Sequence, residues 1–362
     1  MAEIIGPLSM IHSKVDPLEV YITHLDHFSR SIIPYEFLLS RYNRKPNQAR
    51  NDAESISSHV KQALEFYHLS KVASERIKPV LQYYCYLNFA VATIFAYRPI
   101  NMEFYKKHGV QDLSAKIKKI DLGSYLVKTT PAGSVPLFNS VISQVDLRFK
   151  YFRFNHLIGS VPFLSYELSA AYKKKLYVVH VEEKIIEAPL NAFKSTVKFT
   201  TFNRINNQKT STNKERIEEA MPILKTAYYL DNKRNGSFEY FSKATWNNLE
   251  KAKFSHRKNC LFLTNYGGHS ILNDPFQQIS MQYSWQYMFR KKLLPTITAS
   301  LLLSFSFASI CRYRPQLLVQ LLNSRFSLIY RTFLNESPGY MIPFFRNLLY
   351  REEMIVRPEE FT

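Results

Sequence analysis

Apolar and aromatic positions recur at helical spacing towards both ends of the chain and at strand spacing in its middle. Residues 16–44 place Leu18, Tyr21, Ile22, Leu25 and Phe28, then Tyr35, Leu38, Leu39 and Tyr42, on helical faces, with Pro34 marking a break between two helices. A polar connection over Asn43–Asn51 leads to a third helix, capped by Asn51 or Asp52 and running to about Ser70. Its face is Ile56, Val60, Ala63, Leu64, Tyr67 and Leu69. The next segment, Val80 to Tyr97 behind Pro79, is apolar on every side, which predicts a helix enclosed by others at the centre of the core.

From about residue 120 to 275 the pattern changes. Residues 175–181, 195–202, 236–241 and 259–264 are rich in β-branched and aromatic side chains and bounded by turn formers, which predicts strands. Between them, Asn203–Lys214 reads as an exposed loop and Lys214–Tyr229 as a short helix. Helical spacing returns over residues 280–350. There Leu293–Cys311 is 19 residues without a charge. Pro295, the hydroxyls of Thr296, Thr298, Ser300, Ser304, Ser306 and Ser309, and basic residues at both ends favour a buried core helix over a membrane span. The expected fold class is α+β, mainly α: a helical body from residues 1–119 and 280–362, with a strand-containing insertion over 120–279.

The 27 Phe, 24 Tyr and 2 Trp supply enough apolar area to offset chain entropy over 362 residues, which excludes general disorder. Only 9 glycines argue against a glycine-rich nucleotide fold or a β-propeller. Charge adds a partner class: 48 Lys and Arg against 29 Asp and Glu leave +19, a field that attracts polyanions. Cys85, Cys260 and Cys311 show no paired spacing, and the N-terminal residues lack a signal-peptide pattern, so a cytoplasmic location and no membrane association are expected.

Local chemistry is sparse. No phosphate-binding glycine loop, nucleophile elbow or Cys/His metal pattern occurs, so no catalytic residue, metal or cofactor is assigned. The triplet Arg312-Tyr313-Arg314 is the best candidate for anion recognition: two guanidiniums can hold a phosphate while a tyrosine stacks on a base. The plain alternative is that both arginines end a helix and pair with carbonyls or a carboxylate. His108-Gly109 sets an imidazole beside a backbone amide, or is simply a turn. Glu182-Glu183-Lys184 reads as a solvated strand end, and Gly267-Gly268-His269 as a weak loop signal. Basic and aromatic residues interleave at Tyr105-Lys106-Lys107, at Arg148-Phe149-Lys150-Tyr151-Phe152-Arg153-Phe154, at Tyr172-Lys173-Lys174-Lys175 and at Phe254-Ser255-His256-Arg257-Lys258, as in grooves that track single-stranded nucleic acid. A strand over 148–154 would set Arg148, Lys150 and Phe152 on one side and Phe149, Tyr151 and Arg153 on the other.

Two stretches together resemble the YaaC family of bacterial proteins. One is Ile77-Lys78-Pro79-Val80-Leu81-Gln82-Tyr83-Tyr84 with Leu87-Asn88 and His108-Gly109. The other is Ala308-Ser309-Ile310-Cys311-Arg312-Tyr313-Arg314-Pro315-Gln316, followed by Met341-Ile342-Pro343. The resemblance spans roughly residues 15–350 and implies a mainly helical protein, similar to components that accompany bacterial defence genes. The tyrosine-rich helix at Val80–Tyr97 also resembles the opening helix of HEPN domains, a nucleotide-binding and RNA-cleaving class whose active members pair an Arg with a His shortly after it. No His follows Arg312 or Arg314 within ten residues.

The expectation is therefore a non-enzymatic nucleic-acid-binding or assembly subunit, within a bacterial anti-phage system and a multi-subunit complex. It would use Arg312, Tyr313, Arg314, His108, Arg148, Lys150, Arg153 and Lys173–Lys175 on DNA or RNA. Two alternatives stand beside it: a divergent HEPN-like ribonuclease whose base is His108, and a protein-interaction module that meets an acidic partner.

Overall fold

A computed structural model shows an α+β protein, mainly α, and describes residues 9–98, 107–114, 125–142, 146–172, 178–189, 192–201, 228–234, 237–248, 271–272, 279–284, 294–352 and 354–358. The chain forms two compact units, Met1–Asn155 with Ser300–Thr362, and His156–Ala299. Against boundaries expected after residues 119 and 279, the division falls after 155 and after 299.

The elements of the first unit begin with strand β1 (Ser9–Ser13) and helices α1 (Pro17–Phe28), α2 (Ile32–Ser40), α3 (Pro46–Val72) and α4 (Lys78–Tyr97). Strands β2 (Val110–Asp112) and β3 (Leu126–Thr129), helix α5 (Ser134–Ile142) and strand β4 (Tyr151–Arg153) follow, and helix α6 (Phe154–Gly159) starts in the first unit with most of its residues in the second. Helix α7 (Ser165–Tyr172) and strands β5 (Val178–Ala188), β6 (Ala192–Thr201), β7 (Tyr228–Arg234), β8 (Ser237–Ser242), β9 (Ile271–Leu272) and β10 (Ile279–Ser284) lie in the second unit. The chain ends with helices α8 (Thr296–Tyr313), α9 (Pro315–Leu322) and α10 (Ser327–Tyr350) and strand β11 (Met354–Pro358).

Local chemistry explains most helix starts. Pro17 and Pro46 occupy the first turns of α1 and α3, where a missing N–H costs nothing, and the Asp16 carboxylate accepts from Leu18 N at 2.9 Å. Two expectations are corrected here. Pro34 sits inside the first turn of α2 instead of between helices, the break being at Ser29–Ser31. The third helix begins at Pro46, so Asn51 and Asp52 lie within it; Asp52 is buried and its carboxylate lies 3.9 Å from Arg44.

Helix α4 is buried along nearly its whole length, as its all-round apolar pattern requires. Against it packs α10, which carries Pro338 and Pro343 in its interior. A proline removes the N–H that would bond four residues back, and at Pro338 that orphans the carbonyl of Leu334. Gln82 of α4 supplies the donor, its Nε2 reaching Leu334 O at 2.7 Å, while Tyr86 and Ser337 join their hydroxyls at 2.9 Å and the rings of Phe89 and Phe345 stack. The break in one helix is thus the polar half of its seam with the other.

Helix α8 is the Leu293–Cys311 segment of the sequence. It is long and apolar enough to cross a membrane, yet most of it is buried in the fold. Several of its hydroxyls are satisfied, Ser304 Oγ donating to Ser300 O and Ser306 Oγ to Leu302 O, both at 2.8 Å, and Ser309 Oγ to the Asp112 carboxylate at 2.7 Å, while the buried Ser300 Oγ has no partner among the described residues.

The described residues form three sheets. Chain ends β1 and β11 pair in parallel, and β2, β3 and β4 form an antiparallel sheet in the first unit. The second unit holds a sheet of order β7-β8-β6-β5-β10-β9. The strands expected near 175–181, 195–202 and 236–241 are β5, β6 and β8; Glu182-Glu183-Lys184 lies within β5, opposite Thr196–Lys198, instead of at a strand end. The region from 280 opens with the rest of β10, helices resuming at Thr296. The strand over 259–264, the loop over 203–214, Gly267–His269 and Phe254–Lys258 lie outside the described residues, as does the helix expected over 214–229 except for Tyr228 and Tyr229, which open strand β7 instead.

The alternation expected over 148–154 is also corrected. Phe149 has φ of 54°, a left-handed turn that interrupts any strand there, and β4 is only Tyr151–Arg153. Arg148, Phe149, Lys150, Tyr151 and Arg153 are exposed, and Phe152 and Phe154 are buried.

Candidate functional site

Two sequence-distant segments build the site. The first ends helix α8. Pro315 forces the residue before it out of helical geometry, and Arg314 accordingly has φ −143° and ψ 61°, so α8 stops at Tyr313 and α9 starts at Pro315. The triplet Arg312-Tyr313-Arg314 is therefore displayed at a helix junction, with Tyr313 70% exposed. The second segment is the loop into β2. Gly109 has φ of +77°, and a Cβ there would meet Pro136 Cδ at 2.5 Å; its neighbour across the turn is Gly133. Only a residue without a side chain fits, and the tight approach fixes His108, whose carbonyl accepts from Val135 N at 3.1 Å.

Together with Tyr84 of α4 these segments line an open cavity of about 590 Å³, with Phe305, Ser309, Val110, Gln111 and Asp112 completing its wall. The size suits a small ligand or one unit of a polymer. The two stretches that carry the family resemblance meet here.

The two arginines play different parts. Arg314 is committed to structure: its Nη2 lies 3.4 Å from Asp112 Oδ2, and its Nη1 also donates to Ser114 O. Asp112 is equally occupied, accepting from Tyr125 Oη at 2.8 Å, Ser309 Oγ at 2.7 Å and Ser114 N at 2.8 Å. Arg312 instead donates to Tyr84 Oη at 3.0 Å and to Ala308 O at 3.4 Å, with its guanidinium 5.7 Å from the Tyr84 ring centre and 5.0 Å from that of Tyr313. Among the described residues no carboxylate lies within 4.0 Å of it.

His108 joins this group, its Nδ1 2.7 Å from Tyr83 Oη. Burial, and secondarily the Arg312 charge, lower its pKa from the ordinary 6.5, so the imidazole is neutral at pH 7. Burial also keeps the Tyr83 phenol protonated by raising its pKa. The cavity thus offers one fixed cation, two phenol rings and a neutral imidazole. Among the described residues no group of three His, Cys, Asp or Glu side chains converges as metal ligands would.

The other sequence candidates lie elsewhere. Arg148 is exposed and pairs with Asp146 at 3.0 Å, its donation holding that carboxyl down to about 2. Lys150 and Arg153 are exposed around β4, and Lys173, Lys174 and Lys175 lie outside the described residues. Asp112 and Lys128 sit in no motif of the sequence, and Tyr84 belongs to a family-resembling stretch without any assigned chemistry; each gains meaning only through partners far along the chain.

Comparison with known proteins places the chain in a family without adding a site. No curated protein and no solved structure matches it. A family model described as YaaC-like protein matches residues 26–347, nearly the whole length, and the chain belongs to the YaaC-like family.

Proposed function

We propose that the protein binds nucleic acid without cleaving it, holding a backbone phosphate in the cavity at Arg312. One observation carries this: of the two arginines at the α8–α9 junction, Arg314 is neutralised by Asp112 whereas Arg312 faces an open cavity with no described carboxylate beside it. A guanidinium so placed is a charge-assisted donor for a phosphate, and the exposed Tyr313 ring is available for a base. The net charge of +19 favours such partners over neutral ones. The anti-phage setting and a multi-subunit complex belong to this proposal as its context.

Titrating a labelled oligonucleotide against the protein over a salt series tests it. Arg312→Gln is expected to weaken binding by about 10- to 150-fold and to flatten the salt dependence by about one phosphate contact. Affinity that ignores both the substitution and the salt would overturn the proposal.

A second measurement reads His108. A phosphate beside the imidazole stabilises its protonated form, so binding raises a pKa that the free protein holds below 6.5. Protons are then taken up on binding, and affinity is expected to be level well above pH 7 and to rise as pH falls below it. The gain is about tenfold for each pKa unit by which phosphate raises the group. His108→Gln should abolish that rise; a rise that survives the substitution assigns the effect to another group.

A specific observation favours a second reading, the ribonuclease, because His108 and Arg312 line one cavity although they are far apart in sequence. In the tautomer that donates Nδ1–H to Tyr83, Nε2 is an acceptor able to take the proton from a ribose 2′-hydroxyl as its oxygen bonds to phosphorus, while the P–O5′ bond breaks and the leaving 5′-oxygen takes a proton from water. Arg312 would meet the charge that grows on the phosphate oxygens. Incubation with total RNA separates the readings: cleavage lost in both His108→Gln and Arg312→Ala selects the enzyme, and retention of intact RNA selects the binder.

A further inference from the structure

We infer that the outward face of the β2-β3-β4 sheet is a stacking platform for an unpaired nucleic-acid strand whose phosphate is held at Arg312. This inference rests on the binding proposed above and names its ligand as single-stranded. The register supplies the path. Gln111, in the wall of the cavity, is the cross-strand partner of Lys128, and Lys128 is the partner of Tyr151. Neighbouring strands are about 4.8 Å apart, so this row leads from the cavity across the sheet in about 10 Å. The inward face of the same strands holds Val110, Val127 and Phe152, all buried.

What lies on the outer face is unusual for a solvated sheet. Tyr151 is 56% and Phe149 59% exposed, and the Lys128 ammonium stands 5.3 Å from the first ring centre and 6.0 Å from the second. Lys150 and Arg153 flank them, and among the described residues neither these two nor Lys128 has a carboxylate within 4.0 Å. Phe149 lies two residues before Tyr151, on the side that alternation sets opposite the buried Phe152, and the left-handed turn there ends the strand with its ring exposed. Two rings held apart by a cation and rimmed by unpaired positive charge match the repeating chemistry of a single strand, a flat base beside an anionic phosphate. A duplex keeps its base faces stacked inside, and an acidic protein offers no flat faces to these rings.

The experiment measures binding of a labelled oligothymidylate, an abasic strand of the same length, a duplex and polyglutamate. The double variant Phe149→Ala with Tyr151→Ala is expected to lose about 5- to 150-fold in affinity for oligothymidylate while its affinity for the abasic strand stays unchanged. The ring-preserving pair Phe149→Tyr with Tyr151→Phe is expected to bind like the parent protein, which separates stacking from any effect on folding. The inference is overturned if the alanine variant binds oligothymidylate as the parent does, or if the abasic strand, the duplex or polyglutamate binds the parent as tightly as oligothymidylate. Arg312→Gln should weaken oligothymidylate and the abasic strand alike. Loss on ring removal with none at Arg312 would sink the cavity proposal and keep the platform, and the reverse pattern would sink the platform alone.

Discussion

Replacing Asp112 by alanine is expected to lower the unfolding free energy by about 3–5 kcal/mol, read as a shift in the urea midpoint. Asp112 lies at the end of β2 and its carboxylate joins four parts of the first unit. Tyr125 donates to it from just before β3, Ser309 from α8, the Ser114 amide from its own turn, and Arg314 pairs with it from the α8–α9 junction. The pair is well shielded, with side-chain exposures of 16% for Arg314 and 12% for Asp112. Deleting the carboxylate strands a cation and three donors in a place where water reaches poorly, and the cost is that of uncompensated groups. Asp112→Asn keeps the shape and some acceptor capacity, so it should fall between parent and alanine. A loss below about 1 kcal/mol for the alanine variant would mean that solvent screens the pair as it does a surface bridge.

The second large effect is expected at Phe307. Phe307→Ala should cost about 3–5 kcal/mol in the same measurement, from lost transfer free energy and the cavity left behind. The ring is fully buried, with its centre 5.1 Å from that of Phe154, 5.0 Å from Tyr330 and 5.4 Å from Phe333. These partners come from the start of α6 and from α10, so no single neighbour can move to fill the space. Phe307→Leu should recover roughly half of the loss. Because Phe307 lies on the helix that ends in Arg312, the alanine variant should also weaken oligonucleotide binding. A stability loss under about 1.5 kcal/mol would show that the aromatic cluster collapses around the gap.

The helical part of this fold is legible in the sequence because its signals are local. The all-apolar run from Val80 needs enclosure wherever it is placed, and Pro315 breaks the chain after Arg314 whatever surrounds it. The site is legible only in pieces. The sequence offers His108 apart from the Arg312-Tyr313-Arg314 triplet, and which arginine is neutralised depends on a partner some 200 residues away. Nothing in Val110-Gln111-Asp112 marks its aspartate as the partner of Arg314. The three-stranded sheet is invisible for a related reason: β2, β3 and β4 are three or four residues long, too short for a period of two to stand out, and the strand suggested over 148–154 is cut short by a left-handed turn at Phe149 that no glycine announces.

The first unit is written in two pieces, residues up to 155 and residues from 300 onward, and strands β1 and β11 fasten its outermost segments together. On the ribosome this sets an order of events. Helix α4 emerges with α3 already beside it, but the face that meets α10 stays uncovered until residues beyond 300 are made. A chain interrupted between the two pieces carries that open face with no means of closing it. Until Ser327–Tyr350 has been made, that apolar face is open to chaperones or to association with other chains.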